Sequence, residues 1–305
     1  MDDRLSLSLL LLGSERSPSS LKVAVKRVVF SGLADQPAFT AQRQQVLLEA
    51  ELNARLAHPN VVATYAYHFA PSTTTSQGVE DWLLHMVCEL CSFGSLADAI
   101  QGRKLWDDQL QVPLLGLVMT ILGDVVKGMA YIHRHHVMHR DLKPDNVLLK
   151  DTPEGVVAKV ADLGLGAVMG PQRTHLSNAR AGTPLYMAPE VLRGHFSPAA
   201  DVYSFGVLAW ELLHGCPIWE RLHQITQEPR YLQGLEPHPL LFHHDWHPQP
   251  SAPATPQAQA ATKGLRDLVD GCLQPQPSAR PSFQDLEHWL VILAQLQDRG
   301  GPNQV

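Results

Sequence analysis

His139-Arg140-Asp141-Leu142-Lys143-Pro144-Asp145-Asn146 places a carboxylate, an ammonium and an amide within the six positions from Asp141 to Asn146. A lone Asp-x-Lys would read as an ordinary polar surface loop. Its neighbours argue otherwise. Twenty-one residues beyond Asp141 stands Asp162-Leu163-Gly164, a second acid followed by a glycine at which the chain can turn away. Gly182-Thr183-Pro184-Leu185-Tyr186-Met187-Ala188-Pro189-Glu190 follows at the distance of one loop. Upstream, Val23-Ala24-Val25-Lys26 ends an apolar run in a lysine, and Glu49 falls in helical sequence after it. Chance accounts for any one of these motifs, but not for all five in this order.

The sequence between the motifs sorts into two halves. Residues 5–12 and 21–30 read as strands joined by the turn-rich stretch Gly13 to Ser20. Residues 40–57 read as a helix ending at His58-Pro59-Asn60. Val61 to Phe69 and Trp82 to Leu90 read as further strands, joined by a polar loop over Ser72 to Gly78. The rest is mainly helical. Leu114, Val118, Ile121, Leu122, Val125, Met129 and Ile132 recur at helical spacing and predict one buried stripe. Asp201 to His214 is apolar on nearly every side and stops at Gly215, as a helix in the middle of a core does. Ser282 and Asp285 have capping-box spacing at the start of a last helix reaching about Gln297. Residues 224–262, rich in Pro, His, Gln and Ala, read as a long and partly disordered insertion.

The bulk numbers narrow the class. At 305 residues the chain passes the length at which one core stops growing, ~250–300, so a two-lobed unit is expected. A net charge of −6 argues against nucleic acid or an anionic membrane as partner. Four cysteines make no disulfide framework and point to a reducing, cytoplasmic setting. Cys88 and Cys91 lack a second pair for a structural zinc, and the histidines at 133–139 and 243–247 lack the interleaved ligands of one. The run Leu5 to Leu12 follows a net negative start and is too short to span a bilayer, so it reads as a strand and no membrane insertion is expected.

Phosphoryl transfer needs a carboxylate at the attacking hydroxyl, cations on the phosphates and oxygen ligands for a metal. The motifs supply these types, and from about Leu7 to Gln297 the chain resembles a eukaryotic protein kinase domain. Asp201-Val202-Tyr203-Ser204-Phe205-Gly206-Val207 is similar to the tyrosine-kinase-like group of serine/threonine kinases. The resemblance implies a bilobal α+β fold, with a small antiparallel-sheet lobe over residues 1–91, a helical lobe over 92–297 and a tail over 298–305. It implies ATP and Mg²⁺ as cofactors and protein Ser/Thr hydroxyls as substrates. By the same resemblance Asp141 is the catalytic base, Lys143 holds the γ-phosphate, and Asn146 and Asp162 bind the metal. Lys26 and Glu49 form the ion pair at the α/β-phosphates, beside Ala24. Glu89 and Cys91 belong to the adenine-binding hinge, Cys88 is its gatekeeper and Ser95 lies near the ribose. Glu190 with Arg280, and Asp201, are structural. Lys143 and the Gly-Thr-Pro-x-Tyr form of residues 182–186 favour Ser/Thr over Tyr. Arg140 is placed to read a phosphate on Thr174 or Ser177, added by an activating kinase or in trans by a second copy.

One departure stands out. The family's glycine-rich first loop is expected before Lys26, where residues 1–22 hold Gly13 alone. Two accounts stay open: a truncated piece of an active kinase, or a kinase-like scaffold that binds nucleotide weakly. Asn53 is a second departure, standing where the family packs an apolar side chain; without partners a buried Asn there would cost about 1–3 kcal/mol.

Overall fold

The computed structural model describes residues 6–12, 21–33, 37–74, 79–163, 183–226, 242 and 256–298. A leucine-rich run makes β1 (Ser6–Leu12), and runs with β-branched and aromatic residues make β2 (Leu21–Leu33), β3 (Thr64–Thr74) and β4 (Val79–Glu89). They form one antiparallel sheet in the order β1-β2-β4-β3. Its register sets Ala24 between Leu9 and Cys88 and Lys26 between Leu7 and Met86. The loop expected over 72–78 is shorter than its composition suggests, because β3 runs to Thr74 and β4 begins at Val79. Helix α1 (Pro37–Arg55) seals this sheet with Phe39, Val46 and Ala50 against Val28, Leu84 and Met86.

The second lobe contains α2 (Leu96–Gln101), the short pair β5 (Trp106–Asp107) and β6 (Val112–Pro113), and α3 (Leu115–Arg134). The hairpin β7 (Val147–Thr152) and β8 (Gly155–Val160) follows. Then come α4 (Pro189–Leu192), α5 (Pro198–His214), α6 (Ile218–Thr226), α7 (Pro256–Cys272) and α8 (Phe283–Asp298). The expected stripe of α3 is buried from Val118 to Ile132. Leu114 is the exception, 40% exposed, because it precedes the helix as its N-cap and misses the buried face. Among the described residues α3 has the length and apolarity to cross a membrane, yet it packs against α8, β8 and α5 as a core helix.

Two close approaches fix this lobe. A Cβ on Gly128 of α3 would lie 2.5 Å from the Asn60 carbonyl oxygen, so only glycine lets the His58-Pro59-Asn60 turn rest on that helix. Gly215 ends α5 at φ 61, the left-handed region where glycine is favoured. At the start of α8, Ser282 and Asp285 form the predicted capping box, each amide bonded by the other's side chain at 2.8 and 3.2 Å.

The expected insertion over 224–262 is narrower than its composition suggested. Residues up to Thr226 belong to α6, and α7 starts at Pro256, with Ala261 buried and Leu265 in the main core. Proline at a first helical position followed by Ala and Gln favours helix, and that local preference overrides the low-complexity look. Residues 227–241 and 243–255, with His243, His244 and His247, lie outside the described residues.

Candidate active site

The stretch from His139 to Asn146 is held by one carboxylate beneath it. Asp201, near the start of the wholly buried segment of α5, accepts from the amides of His139 and Arg140 at 2.8 Å each. Its Oδ2 also meets His133 Nε2 at 2.9 Å, and His139 Nε2 meets the Ala161 carbonyl at 2.9 Å. The loop is thereby tied to α5, α3 and the strand leading to Asp162. Arg140 and Asp162 have φ of 66 and 62, a strained region for non-glycine residues that only such over-determined surroundings sustain.

These contacts bring the predicted residues together. Lys143 Nζ donates to Asp141 Oδ2 at 2.8 Å, and Asn146 Nδ2 donates to the same oxygen at 2.9 Å and to the Asp141 carbonyl at 2.7 Å. With both N–H groups of Asn146 bound to Asp141, its Oδ1 has no partner among the described residues. Across the cleft Lys26 Nζ meets Asp162 Oδ1 at 2.5 Å. Burial pushes the Asp162 carboxyl up, but the Lys26 ammonium outweighs it and holds the group below the usual carboxylate range. Five residues from two lobes thus gather two carboxylates, two ammonium groups and an amide oxygen, a set that includes hard oxygen donors of the kind Mg²⁺ takes.

The other predicted positions divide. Ala24 is buried on β2 opposite Cys88 of β4. Glu49 lies on α1, but its side chain is outside the described residues, as are Gly164, Thr174, Ser177 and Gly182. The Cys91 amide N–H has no partner among the described residues, which suits a hinge donor. Burial pushes the Cys91 thiol up to about 11 and the Cys88 thiol up as well, so both stay protonated at neutral pH. Ser95 is committed elsewhere: it caps α2, its hydroxyl donating to Asp98 Oδ2 at 2.6 Å and accepting from the Asp98 amide at 3.1 Å.

Some contacts escaped the sequence reading. Glu89 directs its buried carboxylate to Lys150 at 2.6 Å and Lys159 at 2.9 Å, and Lys159 also donates to the Pro59 carbonyl at 2.6 Å. Burial raises the Glu89 carboxyl, and the two lysines outweigh it and hold the group low. This cluster ties the hinge to β7, β8 and the turn after α1. Asn53, the apparent misfit, donates to the Leu163 carbonyl at 2.8 Å and so has a partner in the Asp162-Leu163 segment. In the helical lobe Glu190 and Arg280 form the expected bidentate pair at 2.6 and 2.9 Å. Glu211 was not foreseen; its Oε1 accepts from the Tyr186 hydroxyl at 2.7 Å and the Ile218 amide at 2.6 Å. Only spacing on a buried helix could have flagged it.

Known proteins have sequences similar to that of this chain. MAP kinase kinase kinase wis4 of Schizosaccharomyces pombe is 27% identical over 281 residues, covering 87% of this chain and 17% of that protein. Serine/threonine-protein kinase fray1 of Dictyostelium discoideum is 31% identical over 274 residues, covering 89% of this chain and 41% of that protein. Inactive serine/threonine-protein kinase PLK5 of Mus musculus is 33% identical over 249 residues, covering 80% of this chain and 34% of that protein. The chain therefore spans less than half the length of each of these relatives. The protein kinase domain model matches residues 15–290, most of the sequence, and the chain belongs to the protein kinase domain family.

Proposed function

We infer that this chain is an ATP- and Mg²⁺-dependent protein serine/threonine kinase. The observation that carries the reading is the Asp141 carboxylate, bonded through one oxygen by Lys143 and Asn146 and facing the Lys26–Asp162 pair. Bound Mg²⁺ would neutralise charge on the nucleotide phosphates. The Asn146 Oδ1 and the Asp162 carboxylate would hold it, because both are oxygen donors in place without rearrangement of their elements. Lys26, with Glu49 on α1, would hold the α/β-phosphates and Lys143 the γ-phosphate. Asp141 accepts the hydroxyl proton of a protein Ser or Thr. Ala24, Cys91 and the Glu89 backbone would enclose the adenine, at the junction of a sheet lobe over 1–91 and a helical lobe over 92–297. Ser95 near the ribose is the weakest of these assignments, since its hydroxyl already serves a helix cap.

The relatives named serine/threonine kinases support this class, and four free cysteines fit a cytoplasmic setting. The exposed Arg140 guanidinium, without a partner among the described residues, suits a reader of phosphate on Thr174 or Ser177. Mass spectrometry of the protein after incubation with ATP would find phosphate on one of them; both unmodified, with other sites labelled, would remove that assignment.

A second reading has its own support. One protein similar to this chain over 80% of its length is named an inactive serine/threonine-protein kinase. A scaffold of this fold would bind partners without turnover. Transfer of labelled phosphate from Mg-ATP to a generic Ser/Thr substrate, beside the Asp141→Ala variant, separates the two. Signal from the parent alone supports the enzyme; equal signal from both, or none from either, supports the scaffold.

A further inference from the structure

Asn53 stands one turn beyond Glu49 on α1, buried, and its Nδ2 donates to the Leu163 carbonyl at 2.8 Å across 110 positions of sequence. That carbonyl belongs to the residue directly after Asp162. The segment is anchored in three directions. The Asp162 carboxylate is bonded to Lys26 of β2, the Leu163 carbonyl is bonded to α1, and the Leu163 side chain is 1% exposed in the main core. The backbone at Asp162 sits at φ 62, so it needs such anchoring to stay there.

We propose that Asn53 is a positioning residue that latches α1 to the Leu163 carbonyl and so holds the Asp162 carboxylate facing the cleft. The latch rests on the kinase reading only for its consequence in catalysis. An apolar residue at 53 could pack between the lobes equally well, but it would set no direction for the Leu163 carbonyl. With Asn, swinging the segment away breaks this bond at a buried amide, so the seated α1 and the seated Asp162 stabilise each other. The departure at position 53 thereby becomes a coupling between helix and metal ligand.

Asn53→Leu removes the donor and keeps the volume, and Asn53→Asp keeps the shape while putting an acceptor against an acceptor. In nucleotide- and metal-free protein, both variants are expected to exchange amide hydrogens over residues 161–165 about 10-fold faster than the parent, the population change of one lost buried hydrogen bond. Exchange in α3 and α5 should be unaltered. In Mg-ATP turnover kcat should fall by about the same factor, with a higher Mg²⁺ concentration for half-maximal rate and an unchanged KM for protein substrate. Unchanged exchange over 161–165 overturns the latch whether or not the parent is active. Faster exchange with unaltered kcat and Mg²⁺ dependence overturns the positioning role. A parent without turnover overturns the kinase reading, and exchange still decides the latch.

Discussion

The two walls of the cleft are held by different physics. Below, the Asp141 loop sits on Asp201, and every residue of α5 from Asp201 to His214 is buried in a continuous apolar core. Above, Lys26 and Asn53 belong to a lobe whose own core is small, built around Val28, Phe39, Val46, Ala50, Leu84 and Met86. Leu56 and Val61, at and after the end of α1, enter the main core, while at the cleft itself that lobe reaches the other through discrete polar contacts: Lys26 to Asp162, Asn53 to Leu163, and Glu89 to Lys150 and Lys159. The lower wall is therefore preorganised by burial, while the upper wall is registered by a few bonds that can form and break. Loss of function should track loss of stability at groups that hold the buried loop from beneath, and separate from it at the partly exposed groups that line the cleft.

The largest effect should come from a group that touches the chemistry and little else. Asp141→Ala should lower kcat by about 10²–10⁴-fold, the usual contribution of a general base, with the melting temperature held within error. A partly exposed side chain bonded to Lys143 and Asn146 supports no core, so a large thermal loss would mean that the loop leans on this carboxylate as well as on Asp201. Asp201→Ala should behave in the opposite way. It strands the amides of His139 and Arg140, and a buried orphan donor costs about 1–3 kcal/mol. Thermal denaturation should show a drop of several degrees together with the lost activity. Lost activity at an unchanged melting temperature would mean that the loop is not held by the core.

How much of this was legible follows from how far each contact reaches along the chain. Asp141, Lys143 and Asn146 act within six positions, so residue types and spacing alone revealed them. The same holds for the capping box at Ser282, a contact over three residues. Asn53 to Leu163 spans 110 positions and Glu89 to Lys150 spans 61, and no periodicity encodes such pairs. Asn53 was visible as a misfit, but not its partner. The ends of the low-complexity stretch were misjudged because composition weighed more than the buried spacing of Ala261, Leu265 and Leu268.

Glu211 tests the lower wall through pH. Burial pushes its carboxyl up to about 8, against an unfolded value near 4.5, although Tyr186 and Ile218 donate to it. The folded state thus keeps a proton that the unfolded chain releases. Stability from this site is full below pH 4.5 and is lost as pH rises toward about 8, with a limiting slope of about 1.4 kcal/mol per pH unit. Melting temperature followed from pH 5 to 9 should fall with this component in the parent, and Glu211→Gln should flatten it. An unchanged slope in the variant would mean that the buried carboxyl is ionised and the core around α5 is more polar than its packing indicates.

The smallest expected effect bears on where the upper wall ends. Ser95 follows the hinge, and its hydroxyl could serve a ribose or a helix. The capping box with Asp98 favours the helix, since both orphan amides at the start of α2 are satisfied by it. Ser95→Ala should then cost about 0.5–2 kcal/mol, the usual range for an N-cap, visible as a slightly lower denaturation midpoint. Its KM for ATP should equal that of the parent, because a lost cap at one end of a six-residue helix does not reorient Cys91 or Ala24. A several-fold rise in KM with no change in midpoint would reverse the assignment. Ser95 would then belong to the nucleotide, and the contacts that set the upper wall would extend past the hinge into the first helix of the lower lobe.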